Sequence, residues 1–104
     1  MDEKKQFIYV LKLKPFLLTE SNWTKEEEAI VDNHFNVLKE LQRDGKLILA
    51  GRTLNMDEKT FGIVILEVAT EEEAKTIMGN DPAVSGGVMT AELFPYKVAL
   101  IRGN

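Results

Sequence analysis

Apolar and polar positions alternate along residues 6–14 (QFIYVLKLK). Phe7, Tyr9, Leu11 and Leu13 share one face at period two, while Ile8 and Val10 lie on the other, with Lys12 and Lys14 wetting its end. The pattern predicts a strand that is apolar on both faces and ends at Pro15. After a connection over residues 16–23, Thr24-Lys25-Glu26-Glu27 reads as a capping box, with acidic residues at the positive end of a helix dipole. Ile30, Phe35, Val37, Leu38 and Leu41 follow at helical spacing, and Gly45 supplies a stop, so this helix runs about five turns.

The spacing then switches back. Residues 46–53 (KLILAGRT) predict a second strand and residues 60–69 (TFGIVILEVA) a third, apolar on both faces and therefore central. The short polar link 55–59 makes these two a hairpin. Thr70-Glu71-Glu72-Glu73 reads as a second capping box, followed by a small stripe of Ala74, Ile77 and Met78 and an expected stop at Gly79. Residues 88–94 predict a fourth strand that Pro95 interrupts, and residues 96–101 (YKVALI) a further extended piece. The order βαββαβ predicts one domain over residues 1–104, with a core of about 6–94 and a C-terminal extension 95–104. The simplest packing is α+β and ferredoxin-like: an antiparallel four-stranded sheet with both helices on one face. Two strands apolar on both sides leave a sheet face uncovered, which predicts a homodimer packed through that face into a barrel-like assembly. The alternative is a monomer whose extension covers the face.

Composition narrows the function classes. The 13 Lys and Arg against 17 Asp and Glu give a net charge of -4, without the basic footprint of a nucleic-acid binder or an anionic-membrane binder. No stretch of about 18 apolar residues is present to span a bilayer, and no leader pattern opens the chain. There is no cysteine and one histidine, so thiol chemistry, disulfides and multi-histidine metal centres are excluded from a single chain. A cytoplasmic setting is expected, with no metal and no cofactor.

Four residues are candidates for chemistry. His34 lies four residues after Ile30 and four before Leu38, so it shares the apolar stripe of the first helix and faces the sheet. There it is either a core imidazole bonded to a backbone carbonyl, or a general base or acid at the rim of a cleft. Asp81 precedes Pro82, good helix-start chemistry with Asp81 as N-cap and Pro82 at the first helical position. Its functional reading is a carboxylate that accepts from one ring nitrogen of His34, fixing its tautomer and orientation. Tyr9 and Arg52 lie on strands and are candidates for binding a small-molecule ligand. The competing readings are a packed ring with its hydroxyl at an edge, and a solvated charge.

The run from His34 through Leu38 to Leu41, then Gly45-Lys46-Leu47-Ile48-Leu49-Ala50-Gly51, resembles the YciI-like (YCII-related) family, in which "H-x-x-x-L-x-x-L" precedes "G-x-L-x-x-A-G". The middle strand 62–68, the Thr70 helix, Asp81-Pro82 and Gly87 continue the resemblance, which covers residues 7–94. It implies a ferredoxin-like fold assembled as a dimeric α/β barrel, and it implies that His34 and Asp81 match a proposed active-site pair. At least one relative is a dehydrochlorinase. Two departures stand out: Arg52 where the family often has proline, and Ala83 where an aromatic residue often follows Asp-Pro.

Three functions follow. The first is a cofactor-independent enzyme of lyase or isomerase type, moving a proton on a small aromatic or lactone-like molecule with the His34–Asp81 pair. The second is a non-catalytic ligand-binding or structural homodimer, in which His34 is a core residue and Asp81 only a cap. A haem- or metal-dependent monooxygenase comes third, disfavoured by the single histidine. Contact of His34 with backbone alone, and no pocket touching Asp81, would favour the second.

Overall fold

The structure, a computed structural model, describes residues 3–103. Four strands, β1 (Lys5–Leu13), β2 (Leu47–Arg52), β3 (Gly62–Val68) and β4 (Met89–Pro95), form one antiparallel sheet in the order β2-β3-β1-β4. The helices are α1 (Lys25–Arg43), α2 (Glu71–Asn80) and the single turn α3 (Pro82–Ser85). The chain is a ferredoxin-like α+β fold.

The alternation along β1 divides the sheet as the sequence predicts. Phe7 pairs with Leu66, Tyr9 with Val64 and Leu93, and Leu11 with Ala91. These side chains, with Val68, form a buried core against Leu38 of α1 and Ala74 of α2, so both helices lie on one face. The opposite face carries Ile8, Val10, Ile63, Ile65, Leu49 and Phe94. Phe94 on that face is 41% exposed.

Local chemistry explains the element ends. The Thr24–Glu27 capping box closes at the start of α1, and Gly45, at φ 77°, terminates it after Asp44. The expected second box forms by half. The Thr70 hydroxyl accepts from Glu73 N–H at 3.1 Å, but the Glu73 carboxylate turns to Ala69 N–H at 3.3 Å and to Lys46 at 2.9 Å. Gly79 does not stop α2, which continues to Asn80. Pro82 stops it instead, by forcing Asp81 into an extended conformation at φ −60°, ψ 124°. Pro95 is the last residue of β4 rather than its interruption, and an edge strand tolerates it because one side of its backbone needs no partner.

Two connections differ from expectation. Residues 15–22 are not featureless: they form two 3₁₀ turns, Pro15–Leu18 and Glu20–Asn22, tied down by the Trp23 indole N–H donating to the Leu17 carbonyl at 2.7 Å. The extension after Pro95 adds no strand. Tyr96 N–H donates to Gln6 O at 3.0 Å and Val98 N–H to Gln6 Oε1 at 2.8 Å. Beyond that tie Leu100 is 95% exposed, while on the sheet face opposite the helices Ile65 is only 6% exposed.

Candidate functional site

Asp81 is the best-held polar side chain in the fold. It is 1% exposed, and three donors converge on its carboxylate. Oδ1 accepts Ala83 N–H at 2.9 Å, the N-cap bond that starts α3, and also receives His34 Nδ1 at 2.6 Å. Oδ2 accepts the Tyr9 hydroxyl at 2.7 Å. Asp81 thus caps a helix turn and also contacts the histidine. Every buried side-chain polar atom among the described residues has a partner.

His34 arrives from the middle of α1, on the stripe shared with Ile30 and Leu38. It bonds to a side chain and not to backbone. A carboxylate that accepts from two other donors takes its third bond from an N–H, which assigns the proton of neutral His34 to Nδ1 and leaves Nε2 as the basic nitrogen. The side chain is 12% exposed, and Nε2 makes no hydrogen bond among the described residues. Close approach of α1 to the Asp81 turn depends on Gly86. A Cβ there would stand 2.7 Å from Pro82 O and 3.1 Å from the Ile30 side chain, one turn ahead of His34.

Tyr9 was expected at the ligand. The structure puts it behind the pair, fully buried, with its ring in the core and its hydroxyl on Asp81. Burial, and then the neighbouring carboxylate, push its phenol well above the ordinary value of 10.0. The sequence signal for this contact was present but incomplete: a buried tyrosine hydroxyl needs a partner, and the alternation placed Tyr9 on the core face.

His34 opens onto a cavity of about 270 Å³ between α1 and the sheet, with Leu11, Val31, Phe35 and Met89 among its walls and Arg52 at its edge. Phe35, expected in the core stripe, is exposed at the cavity rim, with Lys39 Nζ 4.8 Å from its ring centre. A second cavity of about 290 Å³ lies alongside, lined by Trp23, Met56 and Phe61, and shares Leu11, Val31, Arg52 and Met89 with the first. Asp81 and Tyr9 line neither cavity, so His34 is the member of the group that a ligand could touch. Arg52 reaches this side because it pairs with Gly62 at the end of β2, in phase with Ala50 and the core-facing Val64. Among the described residues no three His, Cys, Asp or Glu side chains cluster as metal ligands would, and no helix is long and apolar enough to cross a membrane.

The fold has relatives among solved structures. The chain is similar to the 5-chloro-2-hydroxyhydroquinone dehydrochlorinase of Burkholderia phenoliruptrix, solved with 2,5-dihydroxybenzoquinone. The two are 22% identical over 88% of this chain and 93% of that one, with a TM-score of 0.63. It is also similar to an uncharacterised protein of Thermotoga maritima, at 11% identity over 91% and 100% of the two chains, with a TM-score of 0.55. At these identities the likeness is one of fold. No curated protein matches the sequence. The YCII-related domain matches residues 8–97, and the chain belongs to that family.

Proposed function

We propose that the chain is a small cofactor-independent enzyme in which His34 moves a proton on a small ring-shaped molecule. The observation that carries the reading is the Asp81 carboxylate, held by Tyr9 and Ala83 and bonded to His34 Nδ1 at 2.6 Å, with the other ring nitrogen left basic beside a cavity. Asp81 fixes the tautomer and ring orientation and stabilises the imidazolium that forms when Nε2 takes a proton. Tyr9 positions Asp81 rather than binding the ligand. A cavity of about 270 Å³ fits a substituted single ring, since a void of about 150 Å³ already admits benzene. The similar dehydrochlorinase points to hydroxylated rings as the first class to test. Elimination or isomerisation follows from removing a proton at a carbon next to a carbonyl.

The working unit under this proposal is a homodimer in the cytoplasm. Support comes from the apolar character of the sheet face opposite the helices, on which Phe94 is 41% exposed.

The test is proton exchange in D₂O, followed by NMR over a panel of hydroquinones, hydroxyquinones and unsaturated lactones. The wild type should exchange a ring or α-carbon proton of at least one compound, and His34→Gln should lose that exchange while keeping the native circular dichroism spectrum. Equal exchange by His34→Gln would overturn the proposal.

A further inference from the structure

Arg52 is unlike every other charge near the cleft. It lies on the wall shared by the two cavities, and in both linings the only titratable side chains are Arg52 and His34. No carboxylate faces either space, and Arg52 makes no ion pair among the described residues. The rest of the shared wall is Leu11, Val31 and Met89. Gly62, paired with Arg52, has no side chain to hold its stem away: a Cβ there would sit 3.8 Å from both the Arg52 and the Leu11 Cβ atoms. Arg52 is an exposed residue at the mouth of the cleft; a guanidinium stays charged at any working pH, and one without a counter-charge at the edge of an apolar cleft is open to an anion.

The chemistry of the histidine needs such a group. When Nε2 takes a proton from a C–H bond, the electron pair left behind must move onto an electronegative atom. In a cleft lined by aliphatic and aromatic side chains, Arg52 is the cation able to receive it.

We propose that Arg52 is the oxyanion-binding residue of the cleft, and that the substrate is the keto form of an enol, phenol or hydroxyquinone, its carbonyl oxygen paired with Arg52 while the C–H conjugated with that carbonyl faces His34. This rests on the reading of His34 as the proton acceptor. The C–H bond breaks, the proton goes to Nε2, and the electron pair passes through the conjugated carbons to the oxygen held by Arg52. The pair then returns through the same carbons. It either takes the proton back at another carbon, completing an isomerisation, or expels a leaving group as its anion, completing an elimination. In the second case Nε2 gives its proton to water. No oxidant or reductant is consumed.

The chain's one tryptophan, Trp23, lines the outer cavity and reports binding by quenching of its fluorescence. The probes are 2,5-dihydroxybenzoquinone, anionic at neutral pH, and its neutral dimethyl ether. The wild type should bind the anion at least about tenfold more tightly than the ether, with the preference weakened by salt. Arg52→Gln should bring the two affinities within about threefold, and Arg52→Lys should restore part of the difference. Equal affinities in the wild type, a preference kept intact by Arg52→Gln, or no binding of either probe at millimolar concentration overturns the assignment. Proton exchange into the same probe separates this from the role of His34. An anion preference that depends on Arg52, together with exchange that survives His34→Gln, upholds the anion site and removes the histidine. Exchange that depends on His34, with no effect of Arg52 on binding, does the reverse.

Discussion

Tyr9 and His34 hold opposite oxygens of one carboxylate: the phenol donates to Asp81 Oδ2 at 2.7 Å and the imidazole to Oδ1 at 2.6 Å. A central strand, the long helix and a turn between two helices therefore meet at a single buried group. Each of these contacts is testable by itself.

Tyr9→Phe keeps the ring in the core and strips one oxygen of its donor. A buried carboxylate oxygen without a partner costs about 2–3 kcal/mol, which for a chain of this size lowers Tm by roughly 10–20 °C. Thermal unfolding followed by circular dichroism checks the size of the loss. A shift under about 2 °C would show that water replaces the phenol.

The same tyrosine predicts how stability falls in alkali. Its phenol is held above its ordinary value of 10.0, first by burial and then by Asp81, so the folded chain keeps a proton that the unfolded chain gives up. The Tyr9 contribution is whole below pH 10 and declines above it by about 1.4 kcal/mol per pH unit. Urea titrations at pH 8 to 11.5 should show this slope in the wild type relative to Tyr9→Phe. Parallel curves would contradict it.

At position 81 the two obvious replacements should part company. Asn keeps the cap and accepts from His34, while its amide turns to the Tyr9 oxygen, so the stability loss stays near 1 kcal/mol. The negative charge opposite the imidazolium is gone, and turnover should fall by about 10²–10⁴. Asp81→Ala strands Tyr9, His34 and the Ala83 amide together and should cost about 3–5 kcal/mol. Nitrogen NMR reads the ring directly: the wild type carries its proton on Nδ1, and a neutral ring protonated on Nε2 would refute the arrangement.

Gly86 sets the distance between α1 and the Asp81 turn. An alanine methyl would stand 2.7 Å from Pro82 O and 3.1 Å from Ile30, so Gly86→Ala should cost about 1–3 kcal/mol and draw His34 away from Asp81. Loss of the Nδ1 proton signal in step with the loss of stability is the expected pair of readouts. An unchanged Tm would mean that the turn yields at no cost.

For the open sheet face, Phe94→Glu is the discriminating change. Phe94 is 41% exposed in the single chain, so the fold tolerates the charge within about 0.5 kcal/mol. Sedimentation should give twice the 11.8 kDa chain mass for the wild type and the single mass for the variant. A wild type that sediments as the single chain at micromolar concentration sinks the dimer.

The architecture was legible because local signals agreed with one another. The period-two pattern of Phe7, Tyr9 and Leu11, the Thr24 cap and the Gly45 stop each correspond to an observed contact or backbone angle. Gly79 misled because glycine is a frequent but not obligatory stop, and the steric demand of Pro82 two residues beyond Asn80 decided the boundary. Of the site, the helical phase of His34 and the cap chemistry of Asp81 were readable, since each is set within a few residues. The link from Tyr9 to Asp81 spans 72 residues, and no local pattern encodes a contact that only the packing of the α2–α3 turn on the sheet brings about. Arg52 was a named ligand candidate, but the face it takes depends on its pairing with Gly62.

One oxygen of Asp81 both starts a helix turn and steadies the histidine. If the proposed chemistry holds, a descendant of this chain that abandoned it would still need that oxygen to fold. Survival of the aspartate among relatives is thus a mark of shared architecture and says little about turnover. Position 34, where the fold asks much less of the side chain, is the one whose loss would date the end of the chemistry.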